Sequence, residues 1–328
     1  MPPRPSQLRI TLPLALSLAL PLLAACRSTP EVDPRYRPAE NVLEVIAVLR
    51  QHVPDDTYRF QPARDFTGRN VYRSSLLRLE SIERVHSDAL RAGHMGGVIA
   101  FAKGRALERM SAYDLAEEAY RLAAENDPVL KAEALHSADV CAALDEAIHV
   151  GPPVDEIEGS DAVLRVSHAD PEAVLANFEE RVAKLEELGE VVAGTHHYYI
   201  VQEEIERADI ARAQYFAGLR KILADGDVRA VAESQRVVVH HADSKNLNRR
   251  LLALADLYAD LAVEYAQANP PEGLTFDPTR FQELIDAGTR LYEMVAHQDG
   301  TPEKLEASRR LEAFLAFTLA IDNDRFTP

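Results

Sequence analysis

Three Glu-x-x-His pairs are the first residues in this chain whose types and spacing suit chemistry: Glu83/His86, Glu133/His136 and Glu146/His149. On a helix, positions i and i+3 share a face, so each pair offers a carboxylate and an imidazole to one ion. Di-iron four-helix proteins use two such pairs plus two further glutamates. Here Glu133/His136 and Glu146/His149 fall on one expected helix, too far apart along it to face each other. Glu83, His86, Glu133 and His136 are therefore only weak metal candidates. The expectation is surface ion pairs, a partly buried His86, and no metal or other cofactor.

The other clusters point the same way. His196-His197-Tyr198-Tyr199 precedes Glu203, Glu204 and Glu206. Each histidine sits about two turns, or ~10 Å, from its nearest acid in register. A single ion needs ligands one turn apart, so the segment reads as a polar helix start. His240-His241 has no partner at ligand spacing. Cys141 lies among alanines and a valine and reads as a small buried hydrophobe. GxSxG, HExxH, GxGxxG and P-loop patterns are all missing from the sequence, and no enzyme is expected.

One basic stretch runs through Arg59, Arg64, Arg69, Arg73, Arg78, Arg84 and Arg91. Within it, RDFTGRN (64–70) is a loop with paired arginines. Arg64, Arg69 and Arg73 are the candidates for holding a carboxylate-bearing partner through forked hydrogen bonds. The alternative is that they pair with the protein's own acidic surface. The formal net charge is −17 over 328 residues, which argues against nucleic acid and anionic lipid as partners.

The elements that position these residues read as helices. Phe281, Leu284, Ile285, Gly288, Leu291, Tyr292 and Val295 form one face at helical spacing, and Leu251, Leu254, Tyr258, Leu261 and Tyr265 form another. Asp170-Pro171, Asp277-Pro278 and Thr301-Pro302 each put a cap-type residue before a proline at the first helical position. Helices are expected near 39–53, 70–91, 97–111, 113–126, 129–149, 171–191, 196–224, 227–242, 245–269, 278–297 and 302–321. Residues 54–69 and 150–169 read as long loops, the second a candidate divide between two lobes. No period-2 strand with hairpin chemistry is apparent.

The N-terminus carries an export signal. Arg4 and Arg9 precede an apolar run, Ile10 to Leu23, that is too short to span a bilayer stably. Small residues then lead into Cys26. Leu23-Ala24-Ala25-Cys26 resembles the lipobox of bacterial lipoproteins. The resemblance implies cleavage of residues 1–25, acylation of Cys26, and a bacterial envelope location. Arg27 rather than Asp after the cysteine implies the outer membrane, facing the periplasm. Cleavage removes Arg4 and Arg9 and no acid, taking the formal charge from −17 to about −19. Residues 26–38, rich in proline, read as a tether to a helical body over 39–328. Several acyl chains hold a protein to a membrane where one alone is marginal.

Residues 97–130 resemble a tetratricopeptide (TPR) repeat. Gly104 lies in the first helix and Tyr113 at the turn. Ala116, Tyr120 and Ala123 follow in the second helix, and Pro128 closes the unit. The resemblance implies an all-α fold of TPR-like hairpins forming a superhelix, the alternative being an irregular helical bundle. It also implies a concave surface for another envelope protein or peptide, hence a scaffold or adaptor. The alternatives are a solute-transporter accessory with a small-ligand pocket, and a metal-binding helical protein.

Overall fold

Small and apolar residues recur every three or four positions along most of the chain, and the computed structural model turns these runs into helices. Residues 37–55, 70–152, 154–156, 162–164 and 170–326 are described. The fold is all-α. The described residues form eleven helices: α1 (Arg37–Asp55), α2 (Val71–Ala92), α3 (Gly96–Glu108), α4 (Tyr113–Asn126), α5 (Lys131–Ile148), α6 (Pro171–Val191), α7 (His197–Gly218), α8 (Gly226–His240), α9 (Leu247–Ala268), α10 (Pro278–Ala296) and α11 (Glu303–Phe326). Their positions follow the periodicity closely. The helix expected over 97–111 stops at Glu108, because Ser111 takes a left-handed φ of 58°. The one expected over 196–224 stops at Gly218.

The segment expected to be a loop at 150–169 holds a short antiparallel ribbon, β1 (Val154–Glu156) paired with β2 (Ala162–Leu164). Three-residue strands are too short to show a period-2 pattern, which is why the sequence hides them.

Side-chain caps explain three of the helix starts. Asn70 Oδ1 accepts from the Tyr72 amide at 2.9 Å, Asp170 Oδ1 from Glu172 at 3.2 Å, and Asp277 Oδ1 from Thr279 at 2.9 Å. Each satisfies an amide that the first turn leaves without a partner. Thr301 differs from expectation. Its hydroxyl donates back to the Gln298 carbonyl at 3.0 Å.

Each helix packs on the one before it and the one after it, and α1–α3, α5–α7 and α9–α11 also touch. The α3–α4 hairpin shows why. Tyr113, Ala116, Tyr120 and Ala123 form its buried stripe. Gly104 faces the Tyr120 ring so closely that a Cβ there would lie 2.7 Å from Tyr120 Cε1. Pro128, expected among the packing residues, is instead exposed. Asp127 shapes that turn, accepting from the Val129 amide at 2.8 Å. One core cluster runs from Leu107 to Ile205 and includes Tyr120, Cys141, Leu144 and Leu185. Another joins α9, α10 and α11 through Phe281, Ile285, Tyr292 and Phe314. No helix among the described residues is long and apolar enough to cross a membrane.

Two glycines at different sites on α3 test this packing. Helix propensity favours alanine over glycine by about 1 kcal/mol, but overpacking a buried site costs about 1–3 kcal/mol. At Gly104 the Tyr120 ring is fully buried and has no room to yield, so Gly104→Ala should lower the melting temperature. At Gly96 an added Cβ meets nothing within 4 Å, so Gly96→Ala should be neutral or stabilising. Equal melts for the two variants would show that the Gly104–Tyr120 contact is slack.

Candidate functional site

Apolar residues fall on every side of α7, and acids interrupt them at 203, 204, 206 and 209. With no polar face to turn outward, the helix is buried around most of its circumference. Ile200, Val201, Ile205, Ala211 and Phe216 are in the core, and so are Glu204, Glu206 and Asp209. A buried carboxylate must be paired, since desolvation otherwise outweighs everything it gains. The surrounding helices supply the partners.

Glu203 meets Arg109, from just past the end of α3, at 3.3 Å, and it also pairs with Lys245. Burial pushes the Glu203 pKa up, but Arg109 and Lys245 pull it further down, so it stays below the usual carboxylate value. Arg109 lies over the Tyr72 ring at 5.8 Å. Glu204 accepts from Tyr113 and Arg207, and from Ser111 Oγ at 3.3 Å. Burial first, then the Glu204 charge, drives the Tyr113 phenol well above its ordinary pKa. Arg207 donates to Ser111 Oγ at 3.1 Å, so the strained Ser111 backbone is held from both sides. Glu206 accepts from Ser244 Oγ at 2.5 Å and from Arg250 at 3.4 Å.

Two groups along this spine bring histidines to a carboxylate. In the first, Asp209 Oδ2 lies 2.9 Å from His241 Nε2 and 3.0 Å from His240 Nδ1, while Arg236 donates to Oδ1 at 2.8 Å. In the second, Glu108 lies between His196 and His197. Its Oε1 is 3.1 Å from His196 Nε2, and its Oε2 is 3.3 Å from His197 Nε2. Tyr120 donates to Oε2 at 2.9 Å, and Arg105 Nη1 is 3.3 Å from Oε1. Burial raises the Glu108 pKa, but His197, Arg105 and His196 outweigh it and leave it at about 2. Burial drives the His196 pKa down to about 3, against the pull of Glu108. That imidazole is neutral at physiological pH. Cys141 Sγ is 4.0 Å from Glu108 Oε2. Burial, then the Glu108 charge, pushes its pKa far up, so the thiol stays protonated and is a poor nucleophile.

The residues picked from sequence fare unevenly. Cys26, Arg64 and Arg69 lie outside the described residues. Arg73 is exposed on the first turn of α2. Glu83 pairs with Lys103. His86, expected to be partly buried, is exposed. It also breaks the helix locally, with φ −123° and ψ 26°, so Glu83 and His86 do not share a regular helical face. Glu133 reaches Arg105 at 3.6 Å. Glu146 pairs with Lys184 at 2.6 Å, and His149 folds back on the Asp145 carbonyl. His136 comes near the Glu108 cluster itself, edge-on to His197 with centroids 5.6 Å apart. His196-His197 is not the polar helix start expected, since His197 is fully buried. His240-His241 does have a partner, Asp209. The sequence signals for these clusters were the two adjacent histidine pairs and the run of acids after the first; their carboxylate partners, Glu108 and Asp209, were missed.

No protein-family model matches this chain, and no curated protein matches it.

Asp209 gives the spine a pH signature. Burial raises its pKa, but His241, Arg236 and His240 hold it below the ordinary 3.8. All three lie in the C-terminal half of α8 or just past it. A depressed folded-state pKa adds stability that is complete above the ordinary Asp range and is lost as pH falls below it. Asp209→Asn should therefore cost on the order of 3 kcal/mol near neutral pH. Thermal melts should show the gap from wild type narrowing on acidification below about pH 4. A gap independent of pH would mean that Asp209 acts by shape and not by charge.

Proposed function

We propose that this chain is an envelope lipoprotein, acylated at Cys26 and facing the periplasm from the outer membrane. Its TPR-like helical body is a non-catalytic scaffold that holds an extended segment of another envelope protein. The observation that supports the scaffold part of this reading is an open groove of about 730 Å³ along α8, α9 and α10. Val228, Val231, Leu261 and Leu284 give it aliphatic surface, and Val228 is 74 % exposed. Gln235 and Asn269 place amides along it, suited to an extended backbone that needs both donors and acceptors. Arg280 lies over the Tyr265 ring at 5.4 Å on the α9–α10 side. Mixed lining and an open mouth favour a peptide over an enclosed small solute. The strongly acidic chain steers a segment of net positive charge.

A photo-crosslinking residue at Val228 should give a defined protein adduct in cells. A synthetic peptide from that partner should bind the purified protein, and Val231→Arg should abolish binding without lowering the melting temperature. The control is Leu305 on α11, exposed by 66 % and away from the groove. Equal labelling from both positions would remove the groove from the proposal. The anchor is tested separately. Cys26→Ser should leave the membrane fraction or accumulate unprocessed, and a cleaved variant that stays membrane-bound would overturn the lipoprotein reading.

A further inference from the structure

We propose that Glu108, His196 and His197 form a structural site for a divalent metal ion of the zinc class, clipping the end of α3 to the start of α7. Three donor groups from two distant parts of the chain converge here, all within 4.8 Å of one another. The Glu108 carboxylate turns one oxygen to each imidazole, at 3.1 and 3.3 Å. Tetrahedral zinc with bonds of about 2.0–2.1 Å puts neighbouring donors about 3.3 Å apart, so a closed-up ion pair and a zinc site have nearly the same donor spacing.

The deciding observation is His197. Its side chain is 1 % exposed, yet neither Nδ1 nor Nε2 makes a hydrogen bond among the described residues. The 3.3 Å approach of Nε2 to Glu108 Oε2 is long and poorly aligned, and it is the one polar contact His197 makes within this site. A fully buried imidazole whose Nδ1 has no hydrogen bond and whose Nε2 has only a long contact to a carboxylate is costly. A metal ion between Nε2 and the carboxylate removes that cost at Nε2, with the proton left on Nδ1. The Asp209 group makes the contrast. There both histidines hydrogen-bond the carboxylate and Arg236 fills its other oxygen. That group is complete as a set of ion pairs.

The surroundings suit the ion. Tyr120 holds the carboxylate from behind at 2.9 Å, the kind of outer hydrogen bond that orients a metal ligand. Arg105 is the main opposing charge, with Arg109 a weaker one at His196. Arg109 is itself paired with Glu203. Arg105 also reaches Glu133 at 3.6 Å and lies over the Phe101 ring at 5.4 Å, so it keeps an anionic partner when a cation takes Glu108. His196, 27 % exposed, gives the site its opening to solvent, and His136 packs edge-on against His197. Two imidazoles and a carboxylate are a donor set that zinc and its first-row neighbours accept, leaving a fourth position for water.

The test uses the full chain, purified in detergent, stripped with chelator and titrated with zinc(II) alone, read by calorimetry and by melting temperature. The expected result is one zinc per chain and a raised melting temperature. His196→Gln, at the half-open ligand, should weaken zinc binding by about 100-fold while the metal-free melt stays near wild type. Glu108→Gln should do the same to zinc and also lower the metal-free melt. His240→Gln should leave zinc affinity unchanged. Wild-type zinc affinity in His196→Gln overturns the proposal. So does loss of zinc in His240→Gln, which would move the ion to Asp209, or no stoichiometric binding by the wild-type chain.

Discussion

The rest of the structure depends on one constraint: a helix surrounded by protein carries carboxylates that must each find a cation. α7 is buried around most of its circumference, and its acids at 204, 206 and 209 are buried. An uncompensated buried charge costs several kcal/mol. The neighbouring segments therefore have to arrive in one register. Arg109 comes from beyond α3, Lys245 and Arg250 from the turn into α9 and its first turn, and Arg236, His240 and His241 from the end of α8. Such pairs add little net stability against an apolar isostere. They do penalise misregister, because a helix slipped by one turn leaves several buried charges alone at once. The left-handed backbone at Ser111 belongs to the same constraint. Its hydroxyl is shared between Glu204 and Arg207, so the turn between α3 and α4 is tied to the central helix.

The helices were legible in the sequence because their signal is local. Ala116, Tyr120 and Ala123 announce a buried stripe within one window, and Asp277-Pro278 announces a start that the cap confirms. The clusters were not legible, for a physical reason. Glu108 and His196 are 88 residues apart, and no spacing rule along one helix links them. Local spacing also misled. Glu83 and His86 have the right interval, but the backbone leaves the helical region at His86. His149 sits past the last turn of α5, where a ring bonds its own helix end more readily than it serves an ion. Thr301 has the composition of a cap but spends its hydroxyl on the preceding turn.

α8 connects the charged spine to the groove. Glu233, Arg236 and His240 lie at i, i+3 and i+7 and engage Arg212 and Asp209. Val228, Val231 and Gln235 lie at the same spacing and line the groove. The second stripe trails the first by five residues, which at about 100° per residue is some 140° around the helix. The two stripes therefore look in nearly opposite directions. Once the ion pairs set the rotation of α8 about its axis, the aliphatic stripe is forced outward toward α9 and α10. A rotation that improved the apolar burial of Val228 would pull Arg236 away from Asp209 and leave a carboxylate alone in the core. The exposed aliphatic wall is thus a consequence of buried charge, and it persists because the spine makes the alternative more costly than leaving a valine in water.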